Sequence, residues 1–349
     1  MSRTEKKHYI YYTEFAASCL IVFIHIRFPG LPGDILECFS RLSIILFFAI
    51  AGYFSYEVKS YGIGNKLKKM LVILFIADLI YLGWGMIFSR FVEKQGIRTY
   101  LYSLARIDRI ALFLLTDIRT RLFSYHLRYL TILIKINLIL YFFLRVNHNR
   151  FSYGLLYLSA FTSLILFVSL NRNAAISGLD SDLFILRNGI IFGIVPFMLG
   201  LLLHNYEERI ISVYSLNKPK LIIMFLIGYA LSFLEWFGIR KTEMPLGMLL
   251  TAISLILLPK FISFEAKEEK NKSFFHCSDL ETVSIVIFII HPLVFYFMNT
   301  FDVFQVVMQK EWLVPLVVLV CSILTGATFC FLCKIIKNLW GIIQTSDSQ

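Results

Sequence analysis

Charge is what this sequence has least of. Of its 349 residues only 16% are Asp, Glu, Lys or Arg, 58% are hydrophobic, and the mean hydropathy is +0.73. That is too little charge to cover a soluble surface. Long polar stretches are missing too. The longest weakly hydrophobic segments run to roughly 35 residues, below the size of a typical domain, so a separate globular catalytic domain is excluded. The six cysteines (Cys19, Cys38, Cys277, Cys321, Cys330 and Cys333) have no framework spacing. Cys330 and Cys333 form a C-x-x-C, but inside an apolar helix ending at Lys334 packing sulfur is the expected role, and no metal site is expected. There is no fixed-period repeat, no low-complexity tract, and no pair of interrupted apolar segments of the kind found in inverted-repeat transporters. Lys and Arg outnumber Asp and Glu by 34 to 23, giving +11, but no aromatic-interleaved basic pattern accompanies the excess, so nucleic acid is not an expected partner.

What is present is a series of ten apolar runs, near residues 9–29, 39–57, 70–89, 127–145, 153–170, 183–204, 219–237, 244–263, 281–299 and 312–334. Each supplies the roughly 20 residues a helix needs to cross the hydrocarbon core. The expected fold class is therefore all-α: a polytopic membrane helix bundle of about ten transmembrane helices, forming one domain over 1–349. The first run is too long, and with Tyr11, Tyr12 and Glu14 too polar at its start, to be a cleaved leader, so it is expected to remain as helix one.

The basic excess reports topology. With Arg3, Lys6 and Lys7 placed in the cytoplasm, the alternate loops on that side collect Lys59, Lys66, Lys68, Lys69, Arg145, Arg150, Arg209, Lys218, Lys220, Lys260, Lys267, Lys270, Lys272, Lys334 and Lys337. The outer loops carry fewer, which puts both termini in the cytoplasm. Segment 90–126 is outer yet Arg-rich. Its stretch YLYSLARIDRIALFLL is too interrupted to span and is read as a lid or interfacial helix.

Ionisable side chains within spans are costly and face the bundle interior, so each is a functional candidate. His25 lies about sixteen residues into helix one, roughly 24 Å from the inner end of a core about 30 Å thick, and so in its outer third. Arg41, His126, Arg128, Arg187 and Glu235 also fall in the outer half, and His291 sits near the midplane. Interface anchoring stands as the alternative for Arg41, Arg128 and Arg187, and a satisfied hydrogen bond beside the Pro292 kink for His291. His25 is read as functional, because an imidazole is the group there able to exchange protons near neutral pH. Glu14 precedes it by eleven residues and so returns to within about 20° of the same helix face. The two would mark a path through the bundle; the alternative is a buried carboxylate paired with a base such as Lys135.

Several motifs, in order, resemble acyltransferase family 3, the bacterial integral-membrane O-acyltransferases. FAASCLIVFIH ending at His25 resembles the family's first-helix signature, and RLSIILFFAIAGYF from Arg41 its second. NKLKKMLVILF resembles the basic loop opening helix three, and YHLRYLTILI around His126 the His-Leu-Trp-aromatic-Leu motif. LRNGIIFGIVPFMLG around Arg187, FLEWF around Glu235 and SIVIFIIHPLVF around His291 complete the series, which covers about residues 9 to 335. The resemblance does not extend to the extracytoplasmic esterase-like domain that some members carry. Three positions depart from the pattern: Glu14 stands where Arg or Lys is usual, Ala51 where Ser is usual, and Arg128 where an aromatic is usual.

The resemblance implies a multi-pass protein of the bacterial plasma membrane. It implies acyl-CoA, most often acetyl-CoA, as a cytoplasmic co-substrate with no permanently bound cofactor, and a glycan or lipid-linked sugar hydroxyl as acceptor. His25 would be the catalytic histidine, acting as general base or transient acyl carrier. Arg41 and Arg187 would stabilise oxyanion charge, Glu235 and His126 would orient the acceptor or the imidazole, His291 would count among the substrate-binding or charge-stabilising residues, and Lys66, Lys68 and Lys69 would attract CoA phosphates. Glu14 belongs to the donor side, where a carboxylate repels the phosphates that a cation attracts. Two other readings are a transporter or flippase for a lipid-linked sugar or acyl group, and a family relative impaired through Glu14.

Overall fold

A computed structural model describes residues 3–56, 58, 60–94, 96–104, 125–146, 154, 157–158, 160–166, 168–169, 189–238, 241, 244–261 and 277–346. Among these residues the structure is helical and contains no strand. The helices are α1 (Arg3–His25), α2 (Gly30–Ser40), α3 (Leu42–Tyr53), α4 (Ser60–Phe91), α5 (Ile97–Leu104), α6 (Arg128–Val146), α7 (Gly189–Val213), α8 (Lys218–Gly238), α9 (Gly247–Leu257), α10 (Cys277–Thr300), the short α11 (Gln305–Met308) and α12 (Val314–Ser346).

Apolar length is what makes these helices. Six are long and apolar enough to cross a membrane: Gly30–Tyr53, Tyr61–Phe91, Arg128–Val146, Lys218–Gly238, Asp279–Thr300 and Val314–Ile336. Tyr9–His25 and Gly247–Phe261 are shorter apolar helices. The expected runs 153–170 and 183–204 lie partly outside the described residues. α4 shows the lipid-facing pattern most openly, exposing Leu71, Val72, Phe75, Ile76, Leu79 and Ile80 along one stripe at helical spacing.

Two boundaries differ from the sequence expectation. The second span begins at Gly30 rather than 39 and is interrupted at Arg41, where the backbone N–H is shared between the carbonyls of Glu37 (3.1 Å) and Cys38 (3.3 Å). α4 starts at Ser60, so Lys66, Lys68 and Lys69 ride on its second and third turns instead of lying in a loop. Long cationic side chains can extend from a helix end toward water, so a basic turn need not end a helix. The Arg-rich outer segment contributes α5, and its remainder, 105–124, lies outside the described residues.

The chain forms two compact units, residues 1–43 with 258–349 and residues 44–257. In the first, α10 packs against both α1 and α12, and α1 also meets α2. Its core contains Val22, Ile26, Val283, Ile287, Met298, Val314, Val318 and Cys330. Asp279, 5% exposed, accepts from Lys334 Nζ at 2.5 Å and ties α10 to α12. In the second unit, α8 packs on α9, α4 on α6, and α6 and α9 on α7. The main chains of α3 and α7 approach so closely that a Cβ on Gly52 would overlap the Phe197 carbonyl, and one on Gly200 the Ala49 carbonyl. Small residues permit this contact, as expected where lipid leaves packing rather than water exclusion to join helices.

Candidate active site

α1 runs unbroken to His25, which sets Glu14 and His25 on one face, three turns and about 16 Å apart. Glu14 is half-buried there. After Ile26, whose N–H still donates to the Val22 carbonyl (2.8 Å), the chain turns through Arg27 to Gly30 and enters α2. Gly30 has φ +69°, a conformation glycine adopts without steric cost. Phe28 anchors this turn between Phe23 and Trp312, with ring centroids 5.3 and 5.8 Å away.

His291 reaches His25 from α10. The two rings stack with centroids 5.2 Å apart and planes 27° from parallel. His291 is 0% exposed and its Nδ1 lies 2.9 Å from the Ile287 carbonyl. A carbonyl only accepts, so Nδ1 carries the proton. Pro292 has no N–H to give the Phe288 carbonyl, and that carbonyl also interacts with the His291 ring. The satisfied hydrogen bond beside a proline is therefore present, and the same ring supports His25. His25 as a residue is half-buried.

Arg41 is fixed on its own helix by a carboxylate. Glu37, one turn earlier on α2, is 1% exposed, and its Oε1 accepts from Arg41 Nη2 at 2.6 Å and from Arg27 Nη2 at 2.9 Å. Both guanidiniums lie close enough to His25 to act on its charge. Glu37 and Arg27 were not singled out from the sequence. Glu37 carried a signal, the i,i+4 spacing to Arg41; Arg27 sat in a turn between two apolar runs and carried none.

The remaining candidates lie in the second unit or outside the described residues. Arg187 is among the latter. His126, 4% exposed, forms a 3-10 turn before α6 and meets Tyr81 Oη at 3.5 Å. Glu235 Oε2 accepts from the Leu246 N–H at 2.8 Å, joining the end of α8 to the start of α9. Lys66 Nζ donates to the Phe54 carbonyl (3.0 Å) and to Ser55 Oγ (3.4 Å), so it caps the end of α3, while Lys68 and Lys69 are exposed. The second unit also holds a polar group that sequence reading missed: buried Tyr53 donates to Glu207 at 2.8 Å, His204 packs on Tyr53 and Tyr56, and Tyr56 bonds Asn205.

An imidazole stacked on a second imidazole, beside a guanidinium fixed by a buried carboxylate, can take a proton from a hydroxyl and face a developing oxyanion. A family model described as an acyltransferase domain matches residues 8–334. The chain belongs to acyltransferase family 3. The match takes in every candidate residue named above, and with the apolar helices it makes the protein a multi-pass membrane acyltransferase. No curated protein and no solved structure matches the chain.

Proposed function

We propose that this acyltransferase moves an acyl group, most simply acetyl, from acyl-CoA to a hydroxyl of a cell-surface polysaccharide or lipid-linked sugar. The observation that carries the reading is the meeting of His25 and His291 beside Arg41. His25 takes the proton of the acceptor hydroxyl, whose oxygen attacks the thioester carbonyl. Arg41 faces the charge that develops on the carbonyl oxygen, joined in this role by Arg187. The C–S bond then breaks, and CoA leaves as the thiol with the proton returned from His25. His291 holds the ring of His25, and the exposed Lys68 and Lys69 attract the CoA phosphates. His126 and Glu235 orient the acceptor through their own helices. No permanently bound cofactor takes part. About ten spans, with both termini in the cytoplasm of a bacterial plasma membrane, complete the arrangement.

The test is thiol release by the purified protein from acetyl-CoA when an acceptor glycan is added. Glycan-dependent thiol with acetylated product is expected. Movement of glycan across vesicles without thiol release would establish the transporter instead.

A further inference from the structure

Glu37 is buried to 1% exposure between two arginines and was no part of the acyl-transfer scheme. Removing a carboxylate from water costs several kcal/mol unless partners compensate it. Its partners are unevenly divided. Oε1 serves both guanidiniums, while Oε2 is buried with no hydrogen-bond partner among the described residues. Its two partners are the guanidiniums whose charge acts on His25.

We propose that Glu37 is a positioning residue for acyl transfer, holding the Arg41 guanidinium beside the His25–His291 pair and offsetting one of the two positive charges brought there. The inference rests on the proposed acyl-transfer reading. Two guanidiniums sharing one oxygen would otherwise repel each other at close range. Arg27, 56% exposed, can swing into water, whereas Arg41, 13% exposed, has less room. Glu37 takes Arg41 through Nη2 at 2.6 Å, which fixes that end of the guanidinium. Oxyanion donors act in proportion to how well they are aimed, so loosening this tie lowers turnover more than binding.

The experiment compares wild type, Glu37→Gln, Arg41→Ala and the double variant for acetyl-CoA turnover in detergent-solubilised protein, with thermal stability measured alongside. For Glu37→Gln, kcat is expected to fall roughly 10- to 100-fold, with KM for both substrates within about threefold of wild type. In the Arg41→Ala background the same change is expected to lower kcat by less than about threefold, since Glu37 acts through Arg41. Losses that multiply in the double variant, an unchanged kcat in Glu37→Gln, or a change confined to KM would each overturn the inference. Should Glu37→Gln fail to accumulate, Glu37→Asp keeps the charge on a shorter arm. A kcat lowered at least threefold at normal yield and unchanged KM is then expected, and wild-type kcat would overturn the proposal. Absence of turnover in the wild type would instead sink the acyl-transfer reading itself.

Discussion

At the scale of single residues, two histidines from apolar helices play different parts. His291 is sealed, with its Nδ1 proton committed to a helix carbonyl, whereas His25 is half-buried at the end of α1, where the chain turns. On the proposed reading His25 is the ring that exchanges a proton with the acceptor, and His291 supports it. Glu14 stands three turns below His25 on the same unbroken helix. On the proposed reading, replacing it with arginine would exchange repulsion of the CoA phosphates for attraction. Glu14→Arg is therefore expected to tighten acyl-CoA binding roughly 10-fold, read by calorimetric titration at low salt, and to lose much of that gain in high salt. Unchanged affinity would mean that the donor does not pass Glu14. His25, Arg41 and His291 were legible in the sequence because polar groups inside apolar runs carry a penalty that packing alone does not explain. Glu37 was passed over because it lies before the run thought to begin at 39, and its importance depends on a turn that brings Arg27 back to it.

At the scale of elements, the approach of α3 to α7 depends on absent side chains. Ala49, Gly52, Phe197 and Gly200 bring two main chains together, and Tyr53 donates to Glu207 between the same two helices. Gly200→Val is expected to destabilise the protein by about 1–3 kcal/mol through overpacking, seen as a lower melting temperature in detergent. Gly83→Ala on α4, where an added Cβ meets nothing within 4 Å, is expected to be neutral or mildly stabilising. Equal effects at the two glycines would contradict the close approach. Most helices were legible because runs of spanning length leave few alternatives to a helix. The interruption at Arg41 was not, since the apolar pattern continues across it, and the start of α4 was hidden by lysines that a helix end tolerates.

At the scale of the whole molecule, the low charge content and the apolar helices lead to the proposal that the chemistry is done among membrane helices. The positive-inside pattern predicts both termini in the cytoplasm. Fusions of a fluorescent reporter that matures only in the cytoplasm should glow at either end, and a dark fusion at one end would change the number of crossings from even to odd. Hydropathy points to helices long and apolar enough to cross a membrane, but it says nothing of which polar groups meet. The pairing of His25 with His291, 266 positions later in the chain, required the fold. The most direct test of the central claim is glycan-dependent thiol release from acetyl-CoA by purified His25→Ala at wild-type protein level and melting temperature. Loss of activity to background is predicted, and undiminished release would show that this imidazole does not carry the transfer.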